Sequence, residues 1–216
     1  MGRSIQIINR IEVNAASSQK YAFLFTDVEG STRLAQQFPE KMVASLDRHN
    51  KILNEVFAVL QGTVFEVVGD AYCVAFDDPV NAVKAAVEVQ RRLGKEEWDE
   101  VKIRIRMGLH TGFAQIIEGK FSGYITMART HRIMSAAHGG QILISNQLHG
   151  EIAEQMKDLV SFRDLGERRL KDLIQPVRVF QLVAEGIESE FPPLKTLDAR
   201  PNNLPVQLHR QGERAC

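Results

Sequence analysis

Residues 63–76, TVFEVVGDAYCVAF, decide the fold, because two β-rich runs flank the pair Gly69-Asp70. A Gly/Asp pair between such runs is typical of a hairpin, so the stretch predicts two antiparallel strands with Asp70 at their turn. A second apolar run, Tyr21–Thr26 (YAFLFT), is stopped by Asp27 and predicts a buried strand. These runs predict an antiparallel sheet whose strand ends carry carboxylates.

Apolar residues recur at helical spacing on either side of the hairpin. The pattern predicts one helix over residues 40–60 and another that opens at Asp78-Pro79 and continues to Leu93. Further helices are predicted at 124–137 and 146–156, and strands at 101–107, 141–145 and 177–183. Helices returning onto one face of a mainly antiparallel sheet make an α+β fold of the ferredoxin-like kind.

Composition points to one globular domain. The chain has 216 residues, of which 44% are hydrophobic, and its 27 basic residues balance its 27 acidic ones. Zero net charge argues against a nucleic-acid or anionic-lipid surface. Without a signal peptide or a long apolar run, a cytoplasmic protein with no membrane partner is expected. We expect an N-terminal segment at 1–19, the domain at 20–184 and a polar, proline-containing flexible tail at 185–216.

Asp27 and Asp70 are candidates for a metal site if their strands are neighbours in the sheet. Two adjacent carboxylates repel unless a cation joins them, and hard oxygen ligands favour Mg²⁺ or Mn²⁺. Taken singly, each aspartate is also explained as an ordinary residue of a turn or a helix N-cap. The turn after Asp27, Val28–Thr32, contains a glycine and two hydroxyls and can present backbone N–H groups to phosphate.

Five strings in order along the chain point to one enzyme family: FTDVEGST, FEVVGDAYCVAF, MGLHTG, RIMSAAHGGQILIS and LGERRLKDLIQPVRVFQL. Between about Tyr21 and Val183 the sequence closely resembles the catalytic domain of class III nucleotidyl cyclases, the adenylyl and guanylyl cyclases. The resemblance implies conversion of a nucleoside triphosphate to a 3′,5′-cyclic nucleotide and pyrophosphate. It also implies a homodimer with two composite sites, each using two Mg²⁺ or Mn²⁺ ions.

The resemblance assigns roles to single residues on the metal side. Asp27 and Asp70 match the two metal-binding aspartates, and Val28 matches the position whose backbone carbonyl completes one metal shell. Gly30, Ser31 and Thr32 match the phosphate loop.

The partner protomer of such a dimer supplies the other groups. Arg132 matches the arginine that stabilises charge on the α-phosphate, and Lys171 matches a lysine that holds the terminal phosphates. The resemblance implies no side-chain nucleophile, so the protein supplies position and charge.

One departure from the family pattern concerns the ribose. Ala128 stands where the family places an asparagine that hydrogen-bonds the ribose ring, so Thr126 or Arg129 is a candidate to replace it. The loss of one such bond typically slows catalysis by roughly 10²–10³. The competing hypothesis is therefore a catalytically degenerate domain that binds nucleotide or dimerises as a regulatory module.

A second departure concerns the base. At the two base-recognition positions the chain has Glu66 and Lys120, the reverse of the charge order in adenylyl cyclases. Guanine and uracil each offer an N–H donor beside a carbonyl acceptor, which suits a carboxylate next to an ammonium, whereas adenine does not. We therefore expect GTP or UTP as the substrate. UTP is included because this departure resembles the bacterial anti-phage pyrimidine cyclases as much as the guanylyl cyclases. The alternative is a surface ion pair of Glu66 with Lys120.

Other polar residues have simpler interpretations. His110 in GLHTG is expected to be a strand-end histidine with one backbone hydrogen bond. The alternating Lys102, Arg104 and Arg106 are expected to form the solvated face of a strand.

Overall fold

The computed structural model describes residues 18–199. The helices are α1 (Ser31–Gln37), α2 (Pro39–Val59), α3 (Pro79–Lys95), α4 (Tyr124–Ala136) and α5 (Asn146–Met156), with a 3₁₀ turn at Leu197–Ala199. The strands are β1 (Gln19–Val28), β2 (Thr63–Val68), β3 (Ala71–Phe76), β4 (Ile105–Ile117), β5 (Lys120–Ser122), β6 (Ile142–Ser145), β7 (Ser161–Arg168) and β8 (Val177–Val183).

The strands form one sheet in the order β2-β3-β1-β4-β6-β8-β7, with β5 paired to β4. All of these pairings are antiparallel except that of β4 with β6. β1 lies between β3 and β4, so the ends of the predicted hairpin and of the predicted buried strand meet at one edge. The predicted α+β fold with a mainly antiparallel sheet is confirmed.

Both faces of the sheet are covered, which corrects the expectation that all helices lie on one face. Alternate residues of β1 belong to different cores: Ala22 and Leu24 pack with α2, α3 and α5, whereas Phe23 and Phe25 pack with Met134 of α4. The period of two along a strand sends successive side chains to opposite faces. Asp27 shares the α4 face with Phe23 and Phe25.

Two glycines of β4 let α4 approach the sheet closely. A Cβ at Gly108 would lie 2.3 Å from the backbone nitrogen of Met134, and one at Gly112 would lie 2.6 Å from Thr126. At Gly108 no larger residue fits unless the helix moves, and at Gly112 the Thr126 side chain would have to shift. The motif MGLHTG therefore sets the distance between α4 and the sheet.

The strand predicted at 101–107 begins later than expected, at Ile105. β1 ends at Val28, opposite Ile105, and the chain then turns into α1, so residues 101–104 have no strand beside them. β7 was not anticipated because this edge strand is largely polar and contains a bulge between Asp164 and Glu167. By contrast, α5 has the predicted bounds, since the Ser145 side chain accepts from the Leu148 N–H and caps the helix.

The C-terminal segment, defined here as residues 185–199, packs on the domain rather than forming the expected flexible tail. Leu194 is buried with Ile133, Leu143 and Leu170. Hydrogen bonds fix the backbone further, including Lys195 N–H to the Ala136 carbonyl at 3.0 Å. The remainder of the predicted tail, 200–216, and most of the predicted N-terminal segment lie outside the described residues. Among residues 18–199, the helices lack the combination of length and apolarity that a bilayer-crossing helix requires.

Candidate active site

Two aspartates predicted from the sequence meet at one corner of the sheet. Asp27 is the penultimate residue of β1, and Asp70 lies in the turn between β2 and β3. The Val28 N–H donates to Asp70 Oδ2 at 2.9 Å, which ties the turn to the end of β1. The structure thus brings Asp27, Val28 and Asp70 together.

The Asp27 carboxylate is held by a cation from the neighbouring strand. Arg106 Nε donates to Asp27 Oδ2 at 2.8 Å, and Nη2 contacts the same oxygen. Both side chains are about three-quarters buried. The expectation that Arg106 lies on a solvated face is therefore wrong, because β4 pairs with β1 and places it opposite Asp27. Arg104 also has partners, the Gly139 carbonyl and Glu188.

The predicted phosphate loop follows directly. Gly30 has φ +72° and is the N-cap of α1, with Ser31 and Thr32 in the first turn. No side chain caps this helix, so its first N–H groups have no side-chain acceptor among residues 18–199.

Glu29 connects this loop to two other parts of the fold. Its Oε2 accepts from Gly139 N–H at 3.0 Å, and Oε1 pairs with Lys195 Nζ. Partial burial acts to raise the pKa of Glu29, but the hydrogen bonds from Lys195 and Gly139 outweigh it, so the pKa lies below its ordinary value. A cation and a backbone amide therefore hold Glu29 as a carboxylate.

The donor set at this corner suits a hard divalent cation. Asp27 and Asp70 offer carboxylate oxygens and Val28 a backbone carbonyl, whereas no group of three or more His, Cys, Asp or Glu side chains in residues 18–199 is arranged for a metal. Mg²⁺ is commonly held by one or two carboxylates together with water and substrate phosphates. Such an ion fits this corner only if Arg106 gives up at least one of its two hydrogen bonds to Asp27.

The predicted phosphate-binding cations lie together in a different place. Arg132, on α4, and Lys171, in the β7–β8 connection, line a cleft of about 300 Å³. The Arg132 guanidinium is paired with Asp172. Neither Asp27 nor Asp70 lines this cleft. The two aspartates therefore lie outside the lining of this cleft, although Glu29, two residues after Asp27, pairs with Lys195 at its edge.

Lys195 also lines this cleft, and the sequence interpretation missed it. It lies in the segment that was expected to be unstructured. In that segment the few apolar residues that pack on the domain stand among prolines and polar residues, so they form no recognisable pattern. The apolar residues in FPPLKTL, 191–197, are the signal that could have found it.

The pKa of His131, beside Arg132 on α4, is lowered first by burial and then by the charges of Arg132 and Arg106, while Asp27 acts in the opposite direction.

Thr126 and Arg129 are the candidates to replace the asparagine that the family has at the position of Ala128. Both face away from the Arg132 cleft. Thr126 Oγ1 donates to the Phe113 carbonyl at 2.9 Å, beneath α4. Arg129 lines a separate cleft with Lys20 and His110, and its buried Nε has no partner in the described part of the chain. Neither residue lines the Arg132 cleft.

The base-recognition candidates lie on β2 and β5. Glu66 and Lys120 are both exposed, and no ion pair joins them within residues 18–199. Their neighbours Phe65 and Phe121 contact each other, with ring centroids 4.9 Å apart. β2 and β5 therefore meet through these rings, which leaves both charged side chains available to solvent.

His110 differs from its predicted role. It lies in the middle of β4, is buried, and shares a 2.8 Å hydrogen bond with Ser145 Oγ rather than with the backbone. Burial and then the Arg129 charge lower its pKa to about 4. His110 is therefore a neutral core residue.

Comparison with known families assigns the chain. Residues 13–182 match the family described as the adenylate and guanylate cyclase catalytic domain. The chain belongs to this family. An uncharacterised protein of Mycobacterium tuberculosis is 33% identical to this cyclase-family chain over 188 residues, or 86% of the chain. The chain spans 64% of the length of that relative.

Solved structures share the fold of this cyclase-family chain. A Trypanosoma brucei adenylate cyclase in its monomeric state aligns with a TM-score of 0.74 and 21% identity, over 81% of this chain and 92% of that one. The guanylate cyclase domain of RhGC from Catenaria anguillulae in complex with GTP aligns with a TM-score of 0.67 and 19% identity, over 78% and 99%.

Proposed function

We propose that the protein is a nucleotidyl cyclase that converts a nucleoside triphosphate to a 3′,5′-cyclic nucleotide and pyrophosphate. One observation carries the proposal: Asp27 and Asp70, 43 positions apart in sequence, are brought to one corner and linked through the Val28 N–H. Adjacent carboxylates repel each other, so a pure scaffold gains nothing from the pair. A cation-dependent site uses both.

The proposed site is shared between two protomers. Neither Asp27 nor Asp70 lines the Arg132–Lys171 cleft of its own protomer. A head-to-tail homodimer would bring the cleft of one copy to the Asp27 corner of the other, as the family resemblance implies. Its two sites would then be equivalent.

The protein's own residues position and neutralise the triphosphate. Asp27, Asp70 and the Val28 carbonyl would hold two Mg²⁺ or Mn²⁺ ions, and Gly30 to Thr32 would present N–H groups to the phosphates. Bound divalent cations lower the pKa of the ribose 3′-hydroxyl and screen the triphosphate.

The reaction itself exchanges one phosphorus–oxygen bond for another. The 3′-oxygen gives up its proton to solvent and forms a bond to the α-phosphorus, while the bond from that phosphorus to the oxygen of the β-phosphate breaks. Arg132 would stabilise the charge on the α-phosphate, and Lys171 would hold the pyrophosphate as it leaves.

The base pocket favours GTP or UTP. Glu66 would accept from guanine N1 or uracil N3, and Lys120 would donate to the adjacent carbonyl oxygen. Both charges are exposed and unpaired with each other, which supports a role toward a ligand over a mutual ion pair.

A second candidate function rests on Ala128. Neither Thr126 nor Arg129 replaces the missing ribose donor in the Arg132 cleft, which favours a degenerate, nucleotide-binding regulatory module. Incubation of the purified protein with each of the four triphosphates and Mn²⁺, followed by mass spectrometry, separates the two. Cyclic product that depends on Mn²⁺ supports the cyclase, and nucleotide binding without product supports the regulatory module.

A further inference from the structure

Three cations from three separate elements line the cleft beside α4. Arg132 comes from the helix, Lys171 from the β7–β8 connection and Lys195 from the C-terminal segment. The lining of the cleft contains no carboxylate, although Arg132 is paired with Asp172 at its margin. The chemistry of this lining suits a polyanion.

The backbone around Lys195 is fixed on both sides. Its own N–H donates to the Ala136 carbonyl at the end of α4, and Leu194 is buried in the adjacent core. Farther on, the Leu197 N–H donates to the Arg169 carbonyl at 3.1 Å. Lys195 therefore has a defined position at the cleft.

The Lys195 side chain is free to exchange its partner. Its ammonium pairs with Glu29, but the two side chains are 39% and 35% exposed, and ion pairs this exposed contribute little to stability. If the Lys195 ammonium moves away from Glu29, the Glu29 carboxylate keeps its hydrogen bond from the Gly139 N–H. A phosphate, with more charge and several acceptor oxygens, is the stronger partner for the ammonium.

We propose that Lys195 is a third phosphate-binding residue of the active site, which contacts the terminal phosphates of the substrate and the pyrophosphate product beside Lys171. This proposal rests on the proposed cyclase function, because it takes the cleft to be the triphosphate half of that site. It extends the site into a C-terminal segment that lies beyond residue 182, where the match to the cyclase family ends.

Kinetics of Lys195 variants test the proposal. Lys195→Ala should raise KM for the triphosphate about tenfold with a smaller change in kcat, since one charge-assisted contact is lost. Lys195→Arg should restore KM to within about threefold. Lys157→Ala, which removes an exposed lysine that pairs with Glu154, is the matched control and should leave KM unchanged.

Binding of pyrophosphate separates this proposal from the cyclase assignment, because it needs no turnover. Titration calorimetry with pyrophosphate and Mn²⁺ should show about tenfold weaker binding to Lys195→Ala than to wild type. If wild type makes no cyclic product but this difference is observed, the phosphate site stands and the cyclase function fails. Equal pyrophosphate affinity of wild type and Lys195→Ala, equal impairment of the Ala and Arg variants, or no pyrophosphate binding by wild type would overturn the proposal.

Discussion

Arg106 forms a hydrogen-bonded ion pair with the Asp27 carboxylate across the β1–β4 pairing, and its Nε lies 2.8 Å from Oδ2. The contact places a permanent positive charge where a divalent cation is expected. Metal binding at Asp27 must therefore compete with a guanidinium that cannot lose its proton. This competition predicts that half-maximal activity requires a higher concentration of free metal ion than it would without Arg106.

Replacement of Asp27 by alanine should abolish product formation while the protein stays folded. The change removes one of the two carboxylates proposed to bind metal, and the Arg106 side chain, which is a quarter exposed, keeps access to water. Cyclase assays at saturating Mn²⁺, together with circular dichroism, measure both effects. Asp158→Ala, at an exposed position after α5, is the control and should keep full activity. Normal turnover by Asp27→Ala would refute the metal assignment.

Mixing two inactive variants tests the shared site. In the proposed dimer, Asp27→Ala lacks the metal side and Arg132→Ala lacks the phosphate side, so a heterodimer of the two would contain one intact composite site. Activity should recover to at most about a quarter of the wild-type rate on equal mixing, because half of the dimers are heterodimers with one working site. The absence of recovery, with subunit exchange verified, contradicts a site built from two protomers.

The proposed roles of Glu66 and Lys120 predict the choice of substrate. In an equimolar mixture of the four triphosphates, cyclic GMP or cyclic UMP should exceed cyclic AMP by roughly 10²-fold, because mismatched polar groups cost a few kcal/mol. The double variant Glu66→Lys with Lys120→Asp should shift the product toward cyclic AMP. Preferential synthesis of cyclic AMP by the wild type would overturn the pocket assignment.

The close approach of α4 to β4 predicts an unusual penalty at Gly108. A methyl group there would lie 2.3 Å from the Met134 nitrogen, so Gly108→Ala must displace the helix that carries Arg132. We expect a loss of about 1–3 kcal/mol in unfolding free energy, and loss of activity. Gly150→Ala, in α5 with no atom from outside the helix within 4 Å of the new Cβ, should instead gain roughly 0.5–1 kcal/mol in unfolding free energy, measured by urea denaturation. Equal stabilities of the two variants would contradict the packing argument.

Acid should destabilise the fold partly through His110. Burial and then Arg129 lower its pKa from 6.5 to about 4, so the unfolded chain takes up a proton at higher pH than the folded one. The stabilisation is complete above pH 6.5 and is lost as the pH falls toward 4, by up to about 3 kcal/mol. His110→Gln should flatten that part of the stability profile. Some slope should remain, because burial also lowers the pKa of His49. An unchanged profile would show that His110 is not responsible.

Local patterns were sufficient to predict the hairpin and most helices. The Gly69-Asp70 turn and the start of α3, where Asp78 Oδ1 accepts from the Val80 N–H at 2.8 Å, depend on residues that are adjacent in sequence. Such signals survive in a single sequence. The positions of Asp27 and Asp70 also followed, once their strands were taken as neighbours.

The sequence pattern could not predict contacts between residues that are far apart in the sequence. Arg106 and Asp27 are 79 positions apart, and alternation in 101–107 indicates only that one face is polar, not which groups it meets. The C-terminal segment is another case, because it packs through single residues such as Leu194 and shows no periodicity. Without periodicity, its composition resembled that of a solvated tail.

The packing of the C-terminal segment bears on where this protein can be cut. The match to the cyclase family ends at residue 182, yet Leu194 completes a buried cluster with Ile133, Leu143 and Leu170. A recombinant fragment ended at the last sheet strand would expose that cluster to water, and Gln181, Arg163 and His138 would each lose a main-chain acceptor. The stably folded unit is therefore expected to extend beyond the residues that match the cyclase family, and a fragment that ends at residue 183 is expected to be less stable than one that includes the C-terminal segment.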